Sequence, residues 1–425
     1  MIDINLIREN PKLVRENIKN RFQKELISEV DEFLKLDDTW KKDKKKLDEL
    51  RHRRNILSKE INEAKKQGGD IKKLIKEAKE LPNKINDLEK KNNEIKEKID
   101  SIHSKLPNIL HKKVPIGEDE SKNKVLRKWG VIKKPKFKLK NHVELLEDLG
   151  IADFDAGSSN SGRGFNYLKK EIALLDFALQ RYGIDFLLKK GFDYVVPPMM
   201  LRFNTLLGAL NGLKDFEDVV YKIENEDLYV IGTAEHSLVS MLKNKEMKKE
   251  KLPIKVCALT PCFRKEIGAH GVDSKGLFRM HQFNKVEQVT FSTEEDSFKM
   301  MEEMNKISEK FFQSLKIPYR VIEICSGDLG NKFSRQFDIE AWFPRQNSYK
   351  EVTSAGNCTD FQARALNIKY SNKSERKYCH ISNNTMIATS RGMVAILENF
   401  QQKDGSIKIP TILQKYTGFK KISKE

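Results

Sequence analysis

Two short runs of this chain carry more charge than a strand packed in a protein interior tolerates. Residues 260–266 read Thr-Pro-Cys-Phe-Arg264-Lys265-Glu266 and residues 278–287 read Phe-Arg279-Met280-His-Gln-Phe283-Asn-Lys-Val-Glu287, with Gly268, Gly271 and Gly276 between them. Apolar-to-polar runs on either side of a glycine-rich connection indicate two antiparallel strands joined by a long loop. Arg264, Glu266, Arg279 and Glu287 would then lie on a sheet face, where an isolated charge is costly without a partner or a charged ligand. Arginine forks match the oxygens of phosphate and carboxylate, and a carboxylate matches an ammonium group. Both signs on one face suit a ligand that also carries both. A hairpin closed by its own salt bridges would use the same residues, so this stretch alone leaves the two readings open.

Three further stretches hold residues of the same kind: Thr233-Ala234-Glu235, Lys350-Glu351-Val352-Thr353-Ser354, and Asn383-Asn384-Thr385 followed by Arg391. Taken in order with the hairpin, they resemble the seryl family of class II aminoacyl-tRNA synthetases, the hairpin matching motif 2 and the last stretch motif 3. The resemblance extends from the opening Met-Ile-Asp-Ile-Asn-Leu-Ile-Arg-Glu-Asn-Pro to the closing residues 401–418. The form Thr233-Ala-Glu-His-Ser-Leu238 is similar to the archaeal wording, without the insertions or added cysteines of the zinc-dependent methanogen type.

What this resemblance implies is ATP-dependent activation of serine to seryl-adenylate, followed by transfer to the 3′ end of serine tRNA, with selenocysteine tRNA as a further candidate substrate. A carboxylate must attack the α-phosphate, two anions meeting, so the site has to neutralise charge and hold the reactants in line. The implied catalytic residues are Arg264, bridging α-phosphate and substrate carboxylate, Arg391, clamping the distal phosphates, and Glu351. Glu351 and Ser354 are the implied ligands of the Mg²⁺ that rides on ATP, hard oxygen donors suited to that ion. Glu266 and the backbone near Met280 would recognise adenine, with Phe283 stacked on the base; Lys265, Arg279, Val352 and Thr353 complete the implied nucleotide site. Serine would be held by Thr233, Ala234, Glu235, Arg264, Glu287, Asn383 and Thr385, a small polar pocket that rejects alanine by leaving polar groups unpaired and threonine by size. The wording departs from the family at His270, read either as a tRNA contact or as a solvated loop residue, and at Ala365, where a second arginine is usual. Both departures bear on tRNA handling more than on activation.

The elements that must position these residues follow from composition and periodicity. The 425 residues suffice for two or three domains, and a net charge of +18 favours a polyanionic partner. No apolar run reaches the roughly 20 residues of a membrane span, and the amino terminus lacks a signal pattern, so a cytoplasmic location is expected. The five cysteines are scattered without a Cys-x-x-Cys pair, which argues against a disulfide framework and a structural zinc site.

Two long stretches keep a seven-residue apolar repeat. The first places Phe33, Leu36, Trp40, Leu47, Leu50, Leu57, Ile61 and Ala64 on one seam; the second runs from Ile71 through Leu81, Ile85, Asn92, Ile95, Ile99 and Leu106. Gly68 and Gly69 can end one helix and Asp70 can cap the next, so the two should fold into an antiparallel hairpin, with Pro82 expected to kink the second helix. Lys and Arg crowd its outer faces, for example Lys44, Lys45, Lys46, Arg53 and Arg54, which reads as an ion-paired solvated surface or as a nucleic-acid surface. The resemblance implies the latter, an arm that lies along the long variable arm of tRNA. Residues 1–106 are therefore read as a tRNA-binding domain, 107–140 as a linker with little structure of its own, and 141–425 as a class II catalytic domain. The fold class expected is α+β, a two-helix coiled-coil arm plus an antiparallel sheet of six or seven strands flanked by helices. A helix over about 170–190 and a strand ending at Pro197-Pro198 resemble motif 1, which implies a homodimer.

Three rival readings are weaker. A synthetase-like RNA-binding protein without catalysis would not need Arg264, Glu266, Glu287, Glu351 and Arg391 together. A ligase that loads a carrier protein has no use for the long basic hairpin, and a structural coiled-coil protein has none for the charged sheet.

Overall fold

The computed structural model describes residues 1–133, 135–210, 212, 218–266, 275–372 and 375–424. His270 lies outside them. The chain divides into two compact units, one of Met1–Ile2, Asn20–Phe22 and Pro107–Glu425, the other of Asp3–Lys19 and Gln23–Leu106. None of the described helices is long and apolar enough to cross a membrane.

The second unit is built on helix α1, Ile27–Lys66, and helix α2, Lys72–Lys105. At a rise of about 1.5 Å per residue they are about 60 Å and about 50 Å long. Phe33, Leu47, Leu57, Leu81, Ile85, Asn92, Ile95, Ile99 and Ile102 are buried along the seam, as their spacing requires. Cross-helix ion pairs fix an antiparallel alignment: Lys105 with Glu29 at 2.8 Å, Lys91 with Asp43 at 3.0 Å and Arg53 with Glu77 at 2.7 Å. At the turn Gly68 takes a φ of +70°, the left-handed conformation that glycine adopts without strain. Asp70 Oδ1 accepts the Lys72 N–H at 2.9 Å and satisfies one of the orphan donors of α2. Helix α2 continues through Pro82 without interruption.

The larger unit is organised on an eight-stranded sheet. In chain order its strands are β1 (Lys124–Trp129), β2 (Asp193–Tyr194), β3 (Ile254–Phe263), β4 (Gln282–Ser292), β5 (Tyr319–Glu323), β6 (Arg335–Phe343), β7 (Ser348–Asn357) and β8 (His380–Ala388). In space the order is β1-β5-β6-β7-β8-β4-β3-β2, antiparallel except for the short β2–β3 pair. The count exceeds the six or seven expected. The extra edge strand β1 falls inside 107–140, which therefore has structure of its own; its almost fully exposed, lysine-bearing pattern hid it, as suits an edge strand.

Helices α3 (Lys170–Leu188), α4 (Ala234–Ser240), α5 (Ser297–Ser314), α6 (Phe361–Leu366) and α7 (Thr389–Phe400) flank the sheet. On one face α3, α5 and α7 bury a large core with Val286, Met386 and Ile387 of the sheet. On the other, α4 and α6 cover Val256, Ala258, Val289 and Phe291, the apolar end of that face. Between these covered regions the second face is left for polar side chains. Helix α3 buries Ile172, Leu175 and Leu179 but leaves Leu174, Phe177 and Leu188 exposed at 51%, 62% and 46% on its opposite side.

Candidate active site

The polar face is assembled by strand alternation corrected twice by β-bulges. On β4, Phe283, Lys285 and Glu287 are spaced by two and so share a face. On β8 the pairing jumps from Thr385 opposite Glu287 to Ile387 opposite Val286, so Met386 is an extra residue. Thr385 and Ala388, three apart, thereby come to the same face. Strand β7 repeats the device. Ser354 pairs with Asp338 and Glu351 with Glu340, with the register shift between them, so Glu351 and Ser354 share a face that a regular strand would deny them.

Two adjoining cavities open on this face, and Arg264, Lys285, Glu351 and Thr385 line both. The first, about 240 Å³, is further lined by Glu266, Phe278, Arg279, Met280, Phe283, Val352 and the first turn of α7 with Ser390 and Arg391. Its cations, Arg264, Arg279, Lys285 and Arg391, outnumber its carboxylates, Glu266 and Glu351, and the N-terminal end of a helix adds a partial positive charge. Arg264 is held by its own N–H donating to His281 O at 2.9 Å and by Nε donating to Gly232 O at 3.2 Å. Its guanidinium carbon sits 5.4 Å from the Phe283 ring centre. Arg391 Nη1 pairs with the Glu351 carboxylate, 3.1 Å from Oε2, and donates to the Glu351 carbonyl at 3.0 Å, and the guanidinium lies 5.0 Å from the centre of the Phe278 ring.

The second cavity, about 280 Å³, adds Gly232, Thr233, Glu235, His236, Glu287, Lys332, Ser354 and Asn383. Thr233 caps α4, its hydroxyl accepting the Glu235 N–H at 3.3 Å, which fixes where Glu235 leaves the helix. Glu235 Oε1 accepts from Lys332 Nζ at 2.6 Å and from Gln362 Nε2 at 2.8 Å. Glu287 Oε2 meets Lys285 Nζ at 2.6 Å and accepts from the Thr385 hydroxyl at 3.2 Å. The two buried carboxylates are pushed in opposite directions. Burial, reinforced by the charge of Glu235, raises Glu287 above the ordinary range despite Lys285. Burial also opposes the charge on Glu235, but Lys332, His236 and the Gln362 hydrogen bond together outweigh it and the carboxyl lies below its ordinary value. Burial holds the His236 imidazole down to about 3, so it is neutral. Burial and the charge of Glu351 push Asp338 well up, where Gln336 bridges it to the Ser354 hydroxyl with contacts of 3.0 and 2.9 Å.

Most of the residues singled out from the sequence come together here, but three do not line either cavity. Ala234 is fully buried in the apolar cluster under α4; Thr353 points to the side of β7 opposite Ser354; Lys265 has its N–H bonded to Val219 O at 3.0 Å. Three of the four hairpin charges are also not on the sheet proper. Strand β3 ends at Phe263 and β4 begins at Gln282, so Arg264, Glu266 and Arg279 occupy the connection, where Glu266 takes a φ of +48°. Lys285, Phe278, Gln362 and Lys332 were missed. Lys285 was readable as the residue between Phe283 and Glu287 on one face, whereas nothing local marks Lys332.

Residues 219–400 match the tRNA synthetase class II core domain (G, H, P, S and T), and residues 1–110 match the seryl-tRNA synthetase N-terminal domain. The chain is 47% identical to the serine–tRNA ligase of Pyrococcus furiosus, over 99% of this chain and 97% of that one. It is 45% identical to the serine–tRNA ligase of Methanocella arvoryzae, over 98% of each. Among solved structures, the seryl-tRNA synthetase of Pyrococcus horikoshii complexed with ATP superposes with a TM-score of 0.93 at 45% identity, covering all of both chains. The cytoplasmic serine–tRNA ligase of Naegleria fowleri in complex with AMP gives 0.86 at 35% identity, covering 100% of this chain and 99% of that one. Likeness of this extent, running through both units and the cavity-bearing sheet alike, places the chain in the seryl-tRNA synthetase family of class II aminoacyl-tRNA synthetases.

Proposed function

We propose that the chain activates serine with ATP and transfers the seryl group to serine tRNA. The observation that carries this reading is the wall shared by the two cavities, a cation-rich one suited to a nucleotide and a carboxylate-bearing one suited to an amino acid. Arg264 on that wall can hold an α-phosphate oxygen and the serine carboxylate together, so the carboxylate oxygen attacks phosphorus as pyrophosphate leaves. No protein group has to carry a proton in that step; alignment and charge neutralisation lower the barrier. Arg391 neutralises the departing phosphates, and Phe283 offers its ring to the base. Glu235 and Glu287 take the ammonium and hydroxyl of serine. In the second step a ribose hydroxyl at the tRNA 3′ end attacks the carbonyl carbon of the mixed anhydride and AMP leaves.

Mg²⁺ suits the residues present. Among the described residues no group of three or more His, Cys, Asp or Glu is placed to hold a metal ion. Glu351 and the Ser354 hydroxyl on one face leave most positions to phosphate and water, the habit of Mg²⁺. Bound there it would neutralise phosphate charge.

Exposed basic residues of the helical unit, such as Lys45, Lys46 and Arg54, support backbone contacts to tRNA. The exposed apolar side of α3, with Val196 and Met200 also exposed, supports a homodimer. The division into residues 1–106, 107–140 and 141–425 is kept as a functional one, arm, connector and catalytic body. The deciding experiment is amino-acid-dependent exchange of pyrophosphate into ATP, with serine, threonine, alanine and glycine side by side. Exchange with serine alone is expected; exchange with none of them would overturn the reading.

A further inference from the structure

Lys332 enters the second cavity from the loop 329–333, outside every stretch that the motifs supply. Its ammonium lies 2.6 Å from Glu235 Oε1, and both side chains are only 6% exposed. Oε1 is filled by Lys332 and Gln362, and among the described residues nothing donates to Oε2, which is left for a ligand. Glu287 is built alike, with Lys285 and Thr385 both on Oε2.

The loop does not depend on this ion pair for its shape. The buried Arg21 donates Nη1 to Leu329 O at 3.1 Å and Nη2 to Phe333 O at 2.5 Å. Asn108 donates its N–H to Asn331 O at 2.7 Å and Nδ2 to Lys332 O at 2.9 Å. A buried ion pair is also a poor source of stability, since desolvating both charges cancels most of their attraction. A lysine and a glutamate buried in a cavity wall, with one carboxylate oxygen unused, therefore fit a role toward the occupant of the cavity.

We infer that Lys332 is a positioning residue for the amino acid: by occupying Oε1 it fixes Glu235 so that Oε2 meets the substrate ammonium, and it offsets the Glu235 charge until that ammonium arrives. The inference rests on serine occupying the second cavity. Besides Lys332, the charged or titratable groups around Glu235 among the described residues include His236 on its own helix, Lys285 and Glu287 on β4, Arg264 beyond β3, Glu351 on β7 and the Cys358 thiol.

The test uses the full chain and serine-dependent pyrophosphate exchange. Lys332→Met and Lys332→Gln should raise KM for serine about tenfold with kcat and KM for ATP within about twofold, as expected when a charged contact used in binding is lost. Lys332→Arg should restore most of the affinity. Because Lys332 holds the Glu235 carboxyl down, its loss should move the acid limb of kcat/KM for serine to higher pH. Lys332→Gln keeps a polar group beside Glu235 and so remains informative where Lys332→Met fails to fold. An unchanged KM for serine and acid limb in a folded variant would overturn the inference, and so would losses that fall equally on ATP and are not rescued by arginine. Absence of serine-dependent exchange in the unaltered chain would instead overturn the assignment of the cavity.

Discussion

Arg264 is the residue on which the two cavities most depend. Backbone bonds at its N–H and Nε fix its stem, and among the described residues Nη1 and Nη2 make no hydrogen bond. Arg264→Ala should lower serine-dependent pyrophosphate exchange by about a thousandfold, the scale of losing a preorganised donor to a developing charge, with thermal unfolding essentially unchanged. Exchange near the unaltered rate in a folded variant would remove Arg264 from the phosphate role. At this scale strand alternation accounts for Phe283 and Glu287 sharing a face of β4, whereas Glu351 reaches the cavity through a bulge and Arg391 from the first turn of α7. The sequence was misleading at Thr353, whose neighbour Ser354 takes the cavity face. Lys332 was out of reach because its partner, Glu235, lies 97 positions away and only the folded chain brings them together.

Elements of long period were the easiest to read. The seam of α1 and α2 repeats every seven residues over many turns, so burial at Leu47, Leu57, Ile85 and Ile99 follows from spacing alone. The bulges at Val352 and Met386 left no such trace, since one extra residue in a strand changes the register without changing the local pattern. Strand β2, two residues long, is shorter than the run to Pro198 that the sequence suggests; its pairing with β3 covers only Asp193 and Tyr194. Helix α3 carries a prediction of its own. Its core side is filled, while Phe177 at 62% exposure forms part of an apolar strip that a lone chain would leave in water. Phe177→Asp should convert a dimer into a monomer in sedimentation velocity without loss of helix content. If the unaltered chain already sediments as a monomer, the dimer proposal fails.

For the whole molecule, the division into two compact units lets activation and tRNA recognition be tested apart. Deleting residues 28–105 removes most of the smaller unit and none of the cavity walls. Pyrophosphate exchange should stay within about threefold, the scatter expected of independent parts, while aminoacylation of full-length tRNA falls at least about a hundredfold with the loss of backbone contacts. Undiminished charging by the truncated protein would refute the role given to the arm. The wall common to the two cavities also decides how this protein can change by descent or by redesign. Arg264, Lys285, Glu351 and Thr385 line both cavities, so on the proposed function a substitution at any of them is screened twice. Glu235, Glu287, Lys332 and Asn383 line only the second cavity, and on the proposed assignment of that cavity to serine the freedom to evolve a different amino-acid choice is concentrated there.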